Sequence, residues 1–251
     1  MANRRDFLRA MGGTAAGAYM LGHGARALAQ GGRKQIMVGG NEITTVDIHA
    51  HCVFSEVESI VAGTELERTF PDWYLLGDFR IDAMDERGID YAALSVNNYW
   101  WYAADEALTA DIVRVHDEGL AAWVDQHPDR FVALSSPSLQ FPELAAEQLE
   151  YAVNELGHRG ASVGGTVLGE ANSTPKYDPF WAKCEELDVP VFMHPTDSIY
   201  LFREGGLPDR GNQGNILGNP FETTFFLSNM IFDGTLDRFP GLRVCGAHGG
   251  G

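Results

Sequence analysis

The sequence predicts an α/β chain folded as a (β/α)8 barrel of the TIM type, with about six of the eight βα units present. Three observations predict it. Apolar strand-like runs alternate with helical repeats from residue 43 onward. A His-x-His pair and two further histidines fall at the ends of predicted strands. The 251 residues, 45% of them hydrophobic, suffice for a single core of barrel size.

The elements follow in order. Residues 43–48 (Ile-Thr-Thr-Val-Asp-Ile) read as the first strand. Residues 79–87 have helical spacing, and Gly88 ends that helix. A second strand lies within 89–96, around Ala92-Ala93-Leu94. Residues 105–126 carry Leu108, Ile112, Val115, Leu120 and Trp123 as the apolar stripe of a long amphipathic helix. The third strand is 130–135, and a third helix spans 143–156, closed by Gly157. The fourth strand, 160–167, is short and glycine-rich; a helix follows at 178–187, a fifth strand at 189–193, a helix at 223–232 and a sixth strand at 242–247. Alternation of this kind implies parallel βαβ units. A doubly wound open sheet is the rival arrangement, although no glycine-rich phosphate loop follows the first strand. A closed barrel needs eight units, so two more are expected beyond Gly251.

Composition narrows the function classes. The formal net charge is −17, and no basic patch relieves it, so nucleic acid and anionic membranes are disfavoured as partners. Three cysteines (Cys52, Cys184, Cys245), with no CxxC, give neither a disulfide framework nor a cysteine zinc site. Cys52 lies beside His51 but on the opposite side of the strand, where packing is its expected role.

Residues 1–29 read as an address. Asn3-Arg4-Arg5-Asp6-Phe7-Leu8-Arg9 is similar to a twin-arginine signal, an Ala/Gly-rich apolar stretch follows from Ala10 to Leu21, and Ala27-Leu28-Ala29 supplies a small-x-small cleavage pattern. The stretch is too short and too glycine-rich for a stable membrane anchor. The barrel domain is then residues 30–251, expected in the periplasm or outside the cell.

Four of the eight histidines end predicted strands: His49 and His51 the first, His194 the fifth, His248 the sixth. Barrel active sites lie at the carboxyl ends of the strands. Residues i and i+2 of a strand point the same way, so His49 and His51 can reach one ion while Ala50 points away. A third imidazole from across the barrel would complete a three-ligand site. Neutral imidazoles suit zinc, and an open position would hold a water whose pKa falls toward about 7. His116, His127 and His158 lie on or just past helices and are expected at the solvated surface.

Val46-Asp47-Ile48-His49-Ala50-His51 resembles the strand-one motif of the amidohydrolase superfamily. The run from Arg80 to Asp90, Val191-Phe192-Met193-His194-Pro195, Gly218-Asn219-Pro220-Phe221-Glu222-Thr223-Thr224, and Phe239-Pro240-Gly241-Leu242-Arg243-Val244 with Ala247-His248-Gly249-Gly250-Gly251 are similar to the branch containing aminocarboxymuconate-semialdehyde decarboxylase and related aromatic-acid decarboxylases. The resemblance implies that His49, His51 and His194 bind one divalent metal ion, Zn2+ by expectation. It makes His248 the acid/base and supplies a further Asp ligand after an eighth strand. The lysine that bridges two metals in some members has no counterpart in residues 161–166, which implies a single ion. The branch's best-known member holds its substrate carboxylate with an Arg between strands one and two. Arg68 stands in that loop, but its surroundings do not match.

Asn98, Trp100 and Trp101, in the aromatic segment after strand two, are candidate substrate contacts, with packing of a lid or a subunit contact as the alternative. Asn219-Pro220 most simply starts a helix and places Glu222 in its first turn. Residues 197–218 are long enough for a lid. The expected function is a metal-dependent non-oxidative decarboxylase of a small aromatic or unsaturated carboxylic acid. The competing readings are a hydrolase of amides, lactones or esters and a non-catalytic metal-binding exported protein. The partner is a small molecule; a homodimer is compatible with the sequence.

Overall fold

A computed structural model describes residues 33–97, 99–196 and 212–250. The strands are β1 (Met37–Val38), β2 (Asn41–Glu42), β3 (Val46–His51), β4 (Tyr91–Ser95), β5 (Phe131–Ala133), β6 (Ala161–Gly164), β7 (Pro190–His194) and β8 (Arg243–Gly246). The helices are α1 (Glu56–Val61), α2 (Phe79–Arg87), α3 (Glu106–Gln126), α4 (Pro142–Asn154), α5 (Asp178–Glu186), α6 (Asn219–Phe232) and α7 (Thr235–Arg238). The described residues divide into two compact units, one within 33–47 and 77–91 and the other within 48–76 and 92–250.

In the smaller unit, β1 and β2 form an antiparallel hairpin, and α2 ends where the sequence predicts. Gly88 takes φ +73°, and a Cβ there would lie 2.7 Å from Lys34 O, so only glycine turns the chain at this point. The Asp90 carboxylate accepts from the Thr45 amide (2.5 Å) and hydroxyl (3.1 Å), and Arg33 pairs with Asp90.

In the larger unit, β4 pairs with β5, β6 with β7 and β7 with β8, all in parallel, and β3 flanks β4. A parallel bridge between Ser135 and Ala161 joins the two sets, with the Ser162 amide donating to Ser135 O at 2.6 Å. The strand order therefore follows the chain order, with helices in the crossovers, as in a barrel wall. Alternation along each strand sorts the side chains. On β7, Val191 and Met193 pack outward with Leu149, Tyr177, Phe180, Trp181, Phe226 and Met230 of the helical layer. Phe192 turns inward to meet Ala93, Leu134 and Ala247. Burying each large apolar side chain contributes about 1.5–3 kcal/mol. Helix α3 begins at Asp105, whose carboxylate accepts from the Leu108 amide at 2.9 Å, a cap worth about 1 kcal/mol.

Three expectations change. The first strand begins at Val46, not residue 43, because Ile43 N–H is drawn to Ile36 O beside the hairpin. Helix α6 begins not at residue 223, where its apolar repeat starts, but at Asn219, the start that Asn219-Pro220 predicts, since Pro220 fits a helix's first turn. His116 and His158 are not at the surface: they are 1% and 2% exposed. His127 is half-buried between Trp123 and Phe131. Cys52 is fully buried, as its strand parity predicts. The proposed signal in residues 1–29 lies outside the described residues; among those described, no helix is long and apolar enough to cross a membrane.

His158 belongs to a buried polar cluster. Ser135 Oγ donates to Asp117 Oδ2 at 2.7 Å, and His158 Nε2 lies 3.1 Å from Asp117 O. Burial pushes the Asp117 carboxyl up to about 7, against the Ser135 hydrogen bond, and pushes His116 down to about 3 and His158 down to about 4. An acid with a raised pKa stabilises the fold fully below its unfolded value, and that stability is lost as pH rises through the folded value. The two imidazoles have the opposite sign and lose theirs as pH falls below their unfolded value. Asp117→Asn removes only the acid's share. In thermal unfolding followed by circular dichroism, the variant should gain on the parent progressively from about pH 4 to pH 7; a constant offset across that range would contradict this.

Candidate functional site

Strand alternation and parallel pairing bring four imidazoles to one rim of the larger unit. His49 and His51 project from the end of β3, His194 ends β7, and His248 follows β8 in a turn. His248 has φ +54° and Gly249 and Gly250 have φ +73° and +94°, so the backbone curls immediately after β8. Ring centroids are 4.8 Å apart for His49–His51, 4.7 Å for His49–His194 and 4.7 Å for His51–His194. His248 stands 5.2 Å from His49 and 5.3 Å from His194.

The donor atoms converge more tightly than the rings. His49 Nε2 and His51 Nε2 are 2.7 Å apart, and one ligand atom from each of His49, His51 and His194 falls within 4.8 Å of the others. His194 Nδ1 lies 2.9 Å from Pro195 O; a carbonyl only accepts, so Nδ1 carries the proton and Nε2 keeps its lone pair. Burial, reinforced by the neighbouring His51 and His49, drives the His194 pKa down to about 2, and burial lowers His248 as well. Imidazole ring nitrogens gathered at one point fit a borderline divalent cation. Among the described residues it is the one group of three or more such side chains that could hold an ion.

The histidines line a cavity of about 630 Å3, shared with Tyr74, Asn212, Asn215 and Asn219. The sequence gives no sign of Tyr74, puts Asn212 and Asn215 in the candidate lid of 197–218, and gives Asn219 only a helix-starting role. Tyr74 ends a single 3-10 turn, Asp72–Tyr74, and nothing local marks it as a wall beside His51, whose ring centre is 5.8 Å away.

The expected substrate contacts divide. Asn98 and residues 197–211 lie outside the described residues. Trp100 and Trp101 are buried and line a second cavity rather than the histidine cavity. Trp100 acts as a buttress: its Nε1–H donates to Ser162 O at 3.1 Å, and its ring lies 6.0 Å from that of His194.

Two further features hold His194. Gly164 is its register partner on β6, and a Cβ at Gly164 would lie 2.6 Å from Thr196 Cγ2 and 3.1 Å from Tyr102. The space left is used by Tyr102, whose hydroxyl accepts from the Gly164 amide at 3.0 Å. Burial raises the Tyr102 pKa, so the hydroxyl stays neutral. Glu222, read from sequence as a first-turn acid of α6, is 1% exposed. Its Oε1 accepts from the Thr196 amide (2.7 Å) and hydroxyl (2.8 Å), fixing the chain two residues beyond His194. A Cβ on Gly165 would collide with this carboxylate. The glycine-rich end of β6 is thus room for Tyr102, Thr196 and Glu222.

The chain belongs to the amidohydrolase family, whose model matches residues 46–251. It is 32% identical over 179 residues to 2-amino-3-carboxymuconate-6-semialdehyde decarboxylase of Dictyostelium discoideum, covering 69% of this chain and 48% of that protein. It is 35% identical over 189 residues to gamma-resorcylate decarboxylase of Rhodococcus jostii, covering 69% of this chain and 56% of that protein. The chain spans about half the length of these curated relatives. Among solved structures, it superposes on a dihydroxybenzoic acid decarboxylase from Polaromonas, solved with bound manganese and the inhibitor 2-nitroresorcinol. There the TM-score is 0.63 at 27% identity, covering 81% of this chain and 64% of that one. The fold is accordingly that of the amidohydrolase-type barrel.

The role given to Glu222 is testable without turnover. Glu222→Ala leaves the Thr196 amide and hydroxyl unpaired and should cost about 2–4 kcal/mol in denaturant unfolding, with Glu222→Gln, which keeps an acceptor, costing less than half of that. An alanine variant as stable as the parent would contradict it.

Proposed function

We propose that the chain is part of a metal-dependent decarboxylase acting on a small aromatic or unsaturated carboxylic acid. The observation that carries this is the meeting of His49, His51, His194 and His248 at one cavity, with the first three presenting donor atoms to a common point. Those three would hold one divalent ion. When bound, the ion supplies a Lewis acid that orients the acid and draws electron density from its oxygens. All-imidazole donors favour zinc, and the manganese of the Polaromonas relative makes that ion the competitor. That the two curated relatives are decarboxylases favours this reaction over the hydrolysis that the same donors could support.

The remaining steps belong to the chain. Loss of carbon dioxide breaks a carbon–carbon bond and leaves its electron pair on the ring or enoic carbon, which must take a proton. His248, whose ring lies 5.2 Å from that of His49 and 5.3 Å from that of His194, would deliver that proton after taking it from water. Tyr74 closes one side of the cavity, and Asn215 and Asn219, hydrogen-bonded to each other at 3.1 Å, offer amides for the acid's polar substituents.

The test is carbon dioxide release from a panel of hydroxybenzoic and enoic acids, with zinc or manganese added. Release should vanish with chelator, and His248→Gln should lower kcat by about 10²- to 10⁴-fold while leaving KM little changed. Ring opening or ester cleavage without carbon dioxide would overturn the assignment.

A further inference from the structure

The wall of the larger unit has a seam. Strand pairing is continuous within β3-β4-β5 and within β6-β7-β8, whereas β5 and β6 meet at the Ser135–Ala161 bridge. The first set carries His49 and His51; the second carries His194 and leads into His248. The seam therefore runs between the two halves of the histidine centre. Its backbone bonds are Ser135 N–H to Gly160 O at 2.9 Å, Arg159 N–H to Ala133 O at 2.8 Å and Ser162 N–H to Ser135 O at 2.6 Å.

One buried acid spans it. Asp117, on α3, accepts from Ser135 Oγ just past β5 at 2.7 Å, and its carbonyl lies 3.1 Å from Nε2 of His158, which precedes β6. A carbonyl only accepts, so Nε2 carries a proton, and a neutral His158 keeps its lone pair on Nδ1. That atom faces Asp117 Oδ1 at 3.7 Å, and both are buried without a hydrogen-bond partner among the described residues. Two acceptors facing each other in a dry interior are costly, and one proton between them satisfies both. Burial pushes the Asp117 carboxyl up to about 7 and His158 down to about 4, so the acid holds that proton.

The surroundings bring little other charge to the carboxyl. Ser135 and Ser136, beyond β5, are neutral donors to it. On α3, Glu118 disfavours its ionisation, and the His116 ring turns to Phe54 at 6.0 Å. Helix α4 keeps Glu143, Glu147 and Glu150 exposed; α1 keeps Glu56 exposed and commits Glu58 to the Phe70 amide at 2.7 Å. No lysine or arginine among the described residues pairs with Asp117.

We propose that Asp117 is a proton-operated clamp on the seam between β5 and β6. Protonated, its Oδ1–H donates to His158 Nδ1 while Oδ2 accepts from Ser135, and one carboxyl group ties the two strands. Ionised, it sets a charge against the His158 lone pair, and the carboxylate is better placed in an opened seam that water reaches. The pH thus sets how firmly the two halves of the histidine centre are held together. An acid whose pKa is raised by folding stabilises the closed form fully below its ordinary value near 4; opening grows as pH rises from there and levels off above about 7.

Amide hydrogen exchange on the protein as isolated, corrected for intrinsic rates, tests this without turnover. Between about pH 5 and about pH 7, protection of the Ser135, Arg159 and Ser162 amides should fall by about tenfold or more. The Ala92 amide, bonded to Arg130 O, and the Ala247 amide, bonded to Met193 O, do not cross the seam and should keep theirs. Asp117→Asn copies the protonated acid, because its side-chain amide can donate to His158 and accept from Ser135. Its seam should stay protected throughout the range. Two-bond proton–nitrogen spectra of the parent at about pH 6 should show His158 neutral, with its proton on Nε2. The proposal is overturned if seam protection is flat with pH, if it falls equally in Asp117→Asn or at the control amides, or if His158 is an imidazolium or carries its proton on Nδ1.

Discussion

The constraint on which the site depends is the two-residue repeat of a β-strand beside parallel neighbours. His49 and His51 share a face because one residue separates them, and Ala50 is consigned to the other face. Parallel pairing then sends the carboxyl ends of β3, β7 and β8 to the same rim, so histidines nearly 200 residues apart in sequence come within about one imidazole width of each other. A shift of one residue in β3 would turn both imidazoles toward the outer face.

Convergence alone would not keep four like groups together, because two protonated imidazoles at this spacing repel. Burial opposes this by depressing the pKa of His194 and His248, so those two imidazoles stay neutral. The rest is scaffolding: Trp100 against His194, glycines on β6 making room for Tyr102, and Glu222 holding Thr196. These contacts fix where the ring nitrogens point before any ligand arrives, which is where a site gains most from its protein.

Much of this was legible from residue order. Periodicities of 2 and 3.6 located the six strands of the parallel order and the longer helices, and the histidines stood out because each ended a strand. Residues whose role comes from tertiary burial were not legible. Glu222 looks like any acid in a helix's first turn until Gly165 leaves it space. Asp117, His116 and His158 have the polarity of surface residues yet are buried, and Asp117 and His158 satisfy part of their hydrogen bonding inside, where no local pattern records it. Trp100 and Trp101 stood out by type as candidate substrate contacts, but sequence shows only that an aromatic segment lies on the rim and not which way it folds over; they line a cavity beside that of the histidines.

The central claim is that His49, His51 and His194 form the protein part of a divalent-metal site. Titration with cobalt(II), followed by visible absorption, tests it most directly. The account predicts one equivalent bound per chain, with the stronger, shifted bands of a nitrogen-ligated ion, and loss of those bands in His194→Ala and in His49→Ala. A spectrum that stays that of the aqueous ion through the titration, or one that both variants reproduce, would contradict it.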